Sequence, residues 1–491
     1  MPDELTRGHR DELPQSHRDD LPHRRRMLVL AICCTSLLIV TLDNTVLNVA
    51  LPTLQKEFDA SVSGMQWTVD AYTLVLASLL MLAGSTADRI GRRKVFVTGL
   101  VVFTLGSALC SLAPSLELLV VFRMVQAVGG SMLNPVAMSI ITNTFTDPRE
   151  RARAIGVWGG VAGISMAAGP LVGGVLVDTV GWRSIFLVNL PVGLAALLLT
   201  LRYVPESRAP SPRRPDPVGQ LLVIVLLGAL TFAIIEAPRA GWTSPLILGS
   251  AGVAAAGLAG LLRYEPRRAQ PLIDLRFFRS APFSGATVIA VCAFASLSGF
   301  LFLSTLYLQD VLGLDALHAG LWMLPIAAMA LVCGPLSGRL VGSRGPRVPL
   351  LIAGMTMTAS GILFAAFEAE NSSGPRLIGY VLFGLGFGFV NAPITNTAVS
   401  GMPRAQAGVA AAVASTSRQI GTTLGVAVIG AVLASGVASS SYAKDFTAAS
   451  RPAWWIIAGC GLAVLVLGAV TSGRRARESA RRTAEQLTTA R

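Results

Sequence analysis

The stretch LLIVTLDNTVLNVALPTL, residues 37–54, places one carboxylate, Asp43, inside a run otherwise suited to hydrocarbon. A charged side chain at a bilayer centre costs roughly 2.5–3.5 kcal/mol on insertion scales, so such residues usually face a cavity and do a job. The rest of the chain has the same character. Of its 491 residues, 53% are apolar and 14% charged, with a mean hydropathy of +0.62; soluble domains carry about 25% charged residues. The apolar residues gather into blocks of about twenty, the length that crosses a hydrocarbon core of roughly 30 Å. The fold class that follows is an all-α polytopic membrane protein.

About fourteen blocks are legible, at 27–50, 66–87, 95–113, 117–140, 154–177, 184–202, 218–236, 245–264, 283–308, 318–341, 348–368, 376–398, 406–432 and 453–472. Basic residues load alternate connections: Arg89 with Arg92, Arg93 and Lys94, then Arg149/Arg151/Arg153, Arg208/Arg213/Arg214, Arg263 through Arg279, and Arg339/Arg344/Arg347. The other connections carry little positive charge. Because positive loops stay inside, both termini are expected in the cytoplasm, with an even number of spans. The arginines behind the net charge of +13 gather in these short loops and in the C-terminal tail, so nucleic acid is not an expected partner. The six cysteines fall in or beside apolar blocks without metal-type spacing and read as small buried hydrophobes. The basic start followed by an apolar run reads as a retained first span, because the run is too long for a signal peptide.

Residues 1–26, with HRDELPQS followed by HRDDLPHR, are expected to form a disordered basic cytoplasmic tail. An internal echo links GSTADRIGRRK (84–94), after span two, to GPLSGRLVGSRGPR (334–347), after span ten. Eight spans separate the copies, which fits two six-span halves with spans seven and eight inserted between them. The expected boundaries are an N-terminal six-helix bundle at 27–202, a linker with two inserted helices at 203–282, a C-terminal six-helix bundle at 283–472 and a basic cytoplasmic tail at 473–491.

An energy source must be found for any work such a protein does. A phosphate-binding P-loop ends in Gly-Lys-Ser/Thr, but Lys56, Lys94 and Lys444 do not follow glycine. No ATP site, metal or cofactor is expected, and no enzymatic activity. An ion-driven carrier needs groups that titrate inside the membrane. Burial disfavours the charged form of a carboxylic acid, and a nearby cation favours it. Asp43 in span one, Asp70 in span two and Arg123 in span four are the candidates. A carboxylate that exchanges an arginine partner for a proton would couple protonation to conformation; the alternative is a static pair that fixes helix packing. Asp70 has the alternative of an acid exposed at the outer mouth. Glu236 and Asp310 read as solvated helix ends, whereas Arg418 either lines the cavity or pairs with a carbonyl. In span five, GVWGGVAGISMAAGPLVGGVLVD (156–178) is spaced by glycine and holds Pro170. Such a helix packs tightly in lipid or bends to control access.

These motifs together resemble the major facilitator superfamily, specifically its fourteen-span drug:proton antiporter branch. GSTADRIGRRK is similar to the superfamily's signature loop at Gly84, Asp88, Arg89, Gly91, Arg92 and Arg93. LDNTVLNVALP resembles the first-span motif, with its acid at Asp43. RMVQAVGG resembles the fourth-span motif at Arg123, Gln126 and Gly129, with Ala127 where the pattern prefers glycine. AAGPLVGG matches the antiporter motif of span five at Gly169, Pro170, Gly173 and Gly174. WRSIFLVNLPVG (182–193) and YLQDVLG (307–313) are similar to further marks of the branch. The second-half loop keeps Arg339 but has Gly338 where the first-half motif has Asp88.

The resemblance implies an antiporter of the cell membrane that takes protons in and moves drugs or antibiotics out. Asp43, Arg123 and Asp70 would serve proton coupling, and the signature loop the cytoplasmic gate. Gly169, Pro170, Gly173 and Gly174 would form a hinge. Asp70 matches an acid of members that export lipophilic cations; Trp67, Tyr72, Gln126 and Asn134 are further candidate substrate contacts. The expected partners are a small-molecule drug, protons and the bilayer, and the expected state is a monomer. A proton-coupled uptake symporter and a membrane receptor or scaffold are the competing readings.

Overall fold

The computed structural model describes residues 22–209, 216–268, 271–272, 274–367, 373–400, 402, 407–436 and 442–489. The described residues are almost entirely helical, and fourteen helices are long and apolar enough to cross a membrane. Spans one to five are α1 (His23–Phe58), α2 (Val62–Ile90), α3 (Arg92–Ser111), α4 (Leu116–Thr144) and α5 (Pro148–Thr179). Span six is a short α6 (Ser184–Leu187) that runs on into α7 (Asn189–Tyr203). The inserted pair is α8 (Pro217–Ala240) and α9 (Pro245–Tyr264). Spans nine to eleven are α10 (Ala281–Leu306), α11 (Ala316–Arg344) and α12 (Arg347–Phe367). Spans twelve to fourteen are α13 (Ser373–Val399), α14 (Ala407–Gly436) and α15 (Tyr442–Thr471), and a last helix, α16 (Arg474–Thr489), follows.

Polar residues at the ends of the apolar blocks set where these helices start and stop. Asp147 accepts from the Arg149 and Glu150 N–H groups at 2.9 Å, with Pro148 next to it opening α5. Asp216 and Pro217 open α8 in the same way, and Asp315 accepts from the His318 N–H at 2.7 Å at the start of α11. A side chain that satisfies free N–H groups, with proline at the first helical position, is a strong start signal. Gly91, at φ 126°, divides α2 from α3 in a conformation that other residues avoid.

Residues 1–21 of the expected tail lie outside the described residues. The chain is helical from His23, so Arg24, Arg25 and Arg26 form the first turn of α1. Positive charge at a helix N-terminus opposes the macrodipole. Glu150 offsets it with an ion pair to Arg26 at 2.6 Å, and Arg25 donates to the carbonyl of Tyr203 at 3.2 Å.

Helices α1–α7 pack as one bundle and α10–α15 as another, while α8 packs on α9 and leans on both α2 and α14. The two bundles meet mainly where α2 lies along α14 and α5 along α11. Within a bundle, glycine lets backbones approach closely, the means of association available in lipid. A Cβ added at Gly129 of α4 would fall 2.2 Å from the Phe103 nitrogen of α3, and one at Gly354 of α12 would fall 2.4 Å from the Leu465 nitrogen of α15. The obstacles are backbone atoms, which cannot rotate aside. Gly129→Val should therefore abolish the monodisperse peak on size-exclusion chromatography. Gly159→Val should leave it intact, since nothing lies within 4 Å of a Cβ there.

Candidate functional site

Asp43 and Arg123 meet in the core of the first bundle, 4% and 0% exposed. The Arg123 guanidinium donates to Asp43 Oδ2, and its Nη1 also donates to Gln126 Oε1 at 2.8 Å. The other carboxylate oxygen, Asp43 Oδ1, accepts from Gln126 Nε2 at 2.9 Å and from Asn189 Nδ2 at 2.9 Å. Ser107 accepts from both amides, at 3.2 Å and 3.1 Å, and its own hydroxyl donates to the Phe186 carbonyl at 2.9 Å. The guanidinium carbon sits 4.1 Å from the centre of the Tyr72 ring. Helices α1, α3, α4 and α7 thus each give a polar side chain to one buried charge pair, and α2 gives the ring. Both charges are matched and hydrogen-bonded, as a buried ion pair must be to persist.

Of the residues singled out in the sequence, Asp43, Arg123 and Gln126 come together here. Asn189 and Ser107 complete the network without having been singled out. Asn189 lies inside FLVNLP, which the sequence flagged only as a family mark, and Ser107 carries no signal at all.

Asp70 lies elsewhere, at the seam between the bundles. It is fully buried, Thr73 Oγ1 stands 3.4 Å from its Oδ1, and Thr423 of α14 donates to Thr73 at 2.9 Å. Its second oxygen has no hydrogen-bond partner among the described residues. The two aromatic residues beside it in sequence point away. Trp67 donates to Glu236 of α8 at 2.8 Å, and Tyr72 turns to Arg123. Glu236 is therefore a docking point for the inserted helix and not the solvated end its position suggests. Asp310, read the same way, sits half-buried in a π-type turn at 307–311, one oxygen without a partner among the described residues. Asn134 stays within α4, half-buried, its side-chain oxygen also without a partner among the described residues.

A small void of about 10 Å³, room for about one water, lies between the bundles, lined by Thr45, Asn48, Met166 and Pro170 from the first and by Leu297 and Met323 among others from the second. Its walls are apolar with a few polar groups, a lining that would suit an amphipathic molecule once the bundles part, and methionine adapts to varied shapes. Pro170 and its neighbouring glycines mark the closest approaches of α5. A Cβ on Gly169 would overlap Thr45 Oγ1, and one on Gly174 would fall 2.6 Å from the Leu317 Cα. Gly173 abuts Val46 of α1.

The bundles touch at the end away from the basic loops. There Gln66 donates to the carbonyls of Val426 and Ala427 at 3.1 and 2.8 Å, and Gln309 donates to Val49 at 2.8 Å. Asp178 of α5 accepts from the Leu317 N–H at 2.7 Å, capping the first turn of α11. At the basic-loop end, a Cβ on Gly156, Gly160, Gly334 or Gly338 would meet nothing within 4 Å.

In the signature loop, Arg92 donates to Asp88 at 2.9 Å, and the loop is tied to the segment after span six. The Arg92 N–H donates to Ser207 O at 2.9 Å, Ala209 donates to Asp88 O at 3.1 Å, and the Arg93 N–H donates to Glu206 at 3.1 Å. A Cβ on Gly91 would meet the Glu206 carboxylate. Arg89 is exposed and Gly84 lies nearest Pro135.

The family model described as Major Facilitator Superfamily matches residues 33–426. The chain is 40% identical to the multidrug resistance protein Stp of Mycobacterium tuberculosis, over 85% of this chain and 78% of that one. It is 38% identical to the tetracenomycin C resistance and export protein of Streptomyces glaucescens, over 82% and 74%. To the methylenomycin A resistance protein of Streptomyces coelicolor it is 36% identical, over 81% and 84%. In fold it is similar to a bacterial homolog of the human lysosomal transporter Spinster, crystallised inward-facing and unoccupied. That likeness has a TM-score of 0.64 at 17% identity and covers 94% of this chain and 99% of that one.

Proposed function

This chain belongs to the Major Facilitator Superfamily, and on that premise we propose that it exports drugs or antibiotics across the cytoplasmic membrane in exchange for protons. The observation that carries the proton step is the buried Asp43–Arg123 pair with its amide shell. Protonation of Asp43 releases Arg123 from its counter-charge, and the guanidinium must then find other acceptors. The Gln126 amide, bonded to both partners, can follow either, while Asn189 is bonded to Asp43 alone of the two. Because the network spans four helices of one bundle, its rearrangement changes how that bundle packs. A proton binds more tightly to whichever arrangement leaves Asp43 unpaired, and this differential affinity shifts the populations of the two access states.

Export as the direction, and drugs as the cargo, are supported by the names of the resistance and export relatives. The void between the bundles, once they part, is the place for an amphipathic substrate, and Asp70 is a second acid for a proton or a cationic substrate. Asp88 with Arg92 and the basic loop form the cytoplasmic gate, and Gly169-Pro170 with Gly173 and Gly174 the hinge. Both termini lie in the cytoplasm, and the transporting unit is a monomer that uses no ATP. In cells expressing the protein, a protonophore should raise accumulation of an exported dye to the level of cells lacking the protein. Depleting ATP while the proton gradient is kept should not. Export that survives the protonophore would exclude proton coupling.

A further inference from the structure

Arg123 and Arg418, each well inside a spanning helix, are held in opposite ways. Arg123 faces a carboxylate. Arg418, on α14, forms no ion pair with any described carboxylate. Its Nη1 donates to Thr395 Oγ1 at 3.1 Å and to Asn391 Oδ1 at 3.3 Å, and its Nη2 to Ser415 Oγ at 3.0 Å. All three acceptors are neutral. They orient the guanidinium and leave its charge unmatched, an expensive arrangement among apolar spans.

The location gives the charge a use. Helices α10, α11, α12 and α14 all pack on α13. Even so, Asn391 and Thr395, one turn apart on α13, are exposed. Arg418 is half-buried beside them. A guanidinium has five N–H donors in a planar fork suited to a carboxylate. Three hydrogen bonds to protein leave donors for a ligand.

We infer that Arg418, steadied by Asn391, Thr395 and Ser415, is a binding subsite for the acidic group of an amphipathic organic anion, such as a carboxylate or ionised phenol. The inference rests on the export reading only in taking the exposed face of α13 beside Arg418 as part of the substrate's path. It places recognition of negative charge in the second bundle, while the lone carboxylate of Asp70 belongs to α2 in the first.

Two dyes of one skeleton make the test. Fluorescein is anionic at neutral pH and rhodamine 123 is cationic, and both are built on xanthene. Their binding to the purified full-length protein is read by fluorescence polarisation, without any gradient. Arg418→Gln should raise the Kd for fluorescein about 10-fold or more, the scale of a charge-assisted hydrogen bond, and leave rhodamine 123 unchanged. Arg418→Lys keeps the charge and should retain most of the fluorescein binding, which controls for folding. Equal weakening of both dyes, unchanged fluorescein binding in the glutamine variant, or no fluorescein binding by the wild type would each overturn the subsite. A wild type that binds fluorescein with this Arg418 dependence yet exports nothing would refute the transport reading and leave the subsite standing.

Discussion

Asp43→Asn should lower drug efflux to that of cells lacking the protein, while the protein still reaches the membrane. Asparagine is nearly isosteric and keeps an oxygen for Arg123, while its amide nitrogen then faces the Gln126 and Asn189 donors. It cannot take up and release a proton. The variant also leaves the Arg123 charge buried without a counter-charge, and breaking such a pair costs about 3–5 kcal/mol of stability. A lower melting temperature is therefore expected with the lost transport. The two effects are separable. Asp43→Asn with Arg123→Gln removes both charges and should recover much of the melting temperature while transport stays at background. Efflux regained by the double variant would show that the pair serves packing alone. The measurements are dye efflux at matched membrane levels and the melting temperature of the purified protein.

Gly320→Val should also abolish transport, for a mechanical reason. The Cβ it adds would fall 2.3 Å from the carbonyl oxygen of Pro170, where α11 crosses α5. The obstacle is backbone, so the helices must part at the end that the Asp178 cap and the Gln66 and Gln309 hydrogen bonds hold shut. Neither bundle needs to change internally, and the folded protein should accumulate normally. With the native cysteines replaced, a cysteine at Asn48 in the void should become reactive to an impermeant maleimide added outside. Gly334→Val, where nothing lies within 4 Å, should label and transport as the parent does. Transport at the parent's rate in Gly320→Val would mean that the α5–α11 contact does not control access.

The fourteen spans were legible because two strong signals coincide in one chain. Apolar blocks must be long enough for a bilayer, and serine, aspartate, proline and glycine punctuate their ends. The Asp43–Arg123 pair was legible because a charge among apolar residues demands a partner. The rotation of each helix about its axis was not, since tertiary packing sets it. Trp67 and Tyr72 flank Asp70 in sequence, yet one turns to Glu236 and the other to Arg123. Ser107 and Asn189 are ordinary polar residues whose meaning appears only when α3 and α7 close on Asp43. The basic end of the chain read simply as a tail. In the structure it forms α16, whose Ser479 accepts from the Ala281 N–H at 3.0 Å, because Ala476, Ala480 and Thr483 share one buried face. With so few apolar residues there, hydropathy gave no sign of a helix.

Proton exchange itself can be measured in sealed proteoliposomes holding only the purified protein and a pH dye, with no gradient imposed. Adding an exported drug on the side it enters should release protons to that side, in proportion to drug taken up, and the Asp43→Asn protein should release none. Drug uptake by the wild type without proton movement, or equal release by wild type and Asp43→Asn, would contradict a proton-coupled exporter that works through Asp43.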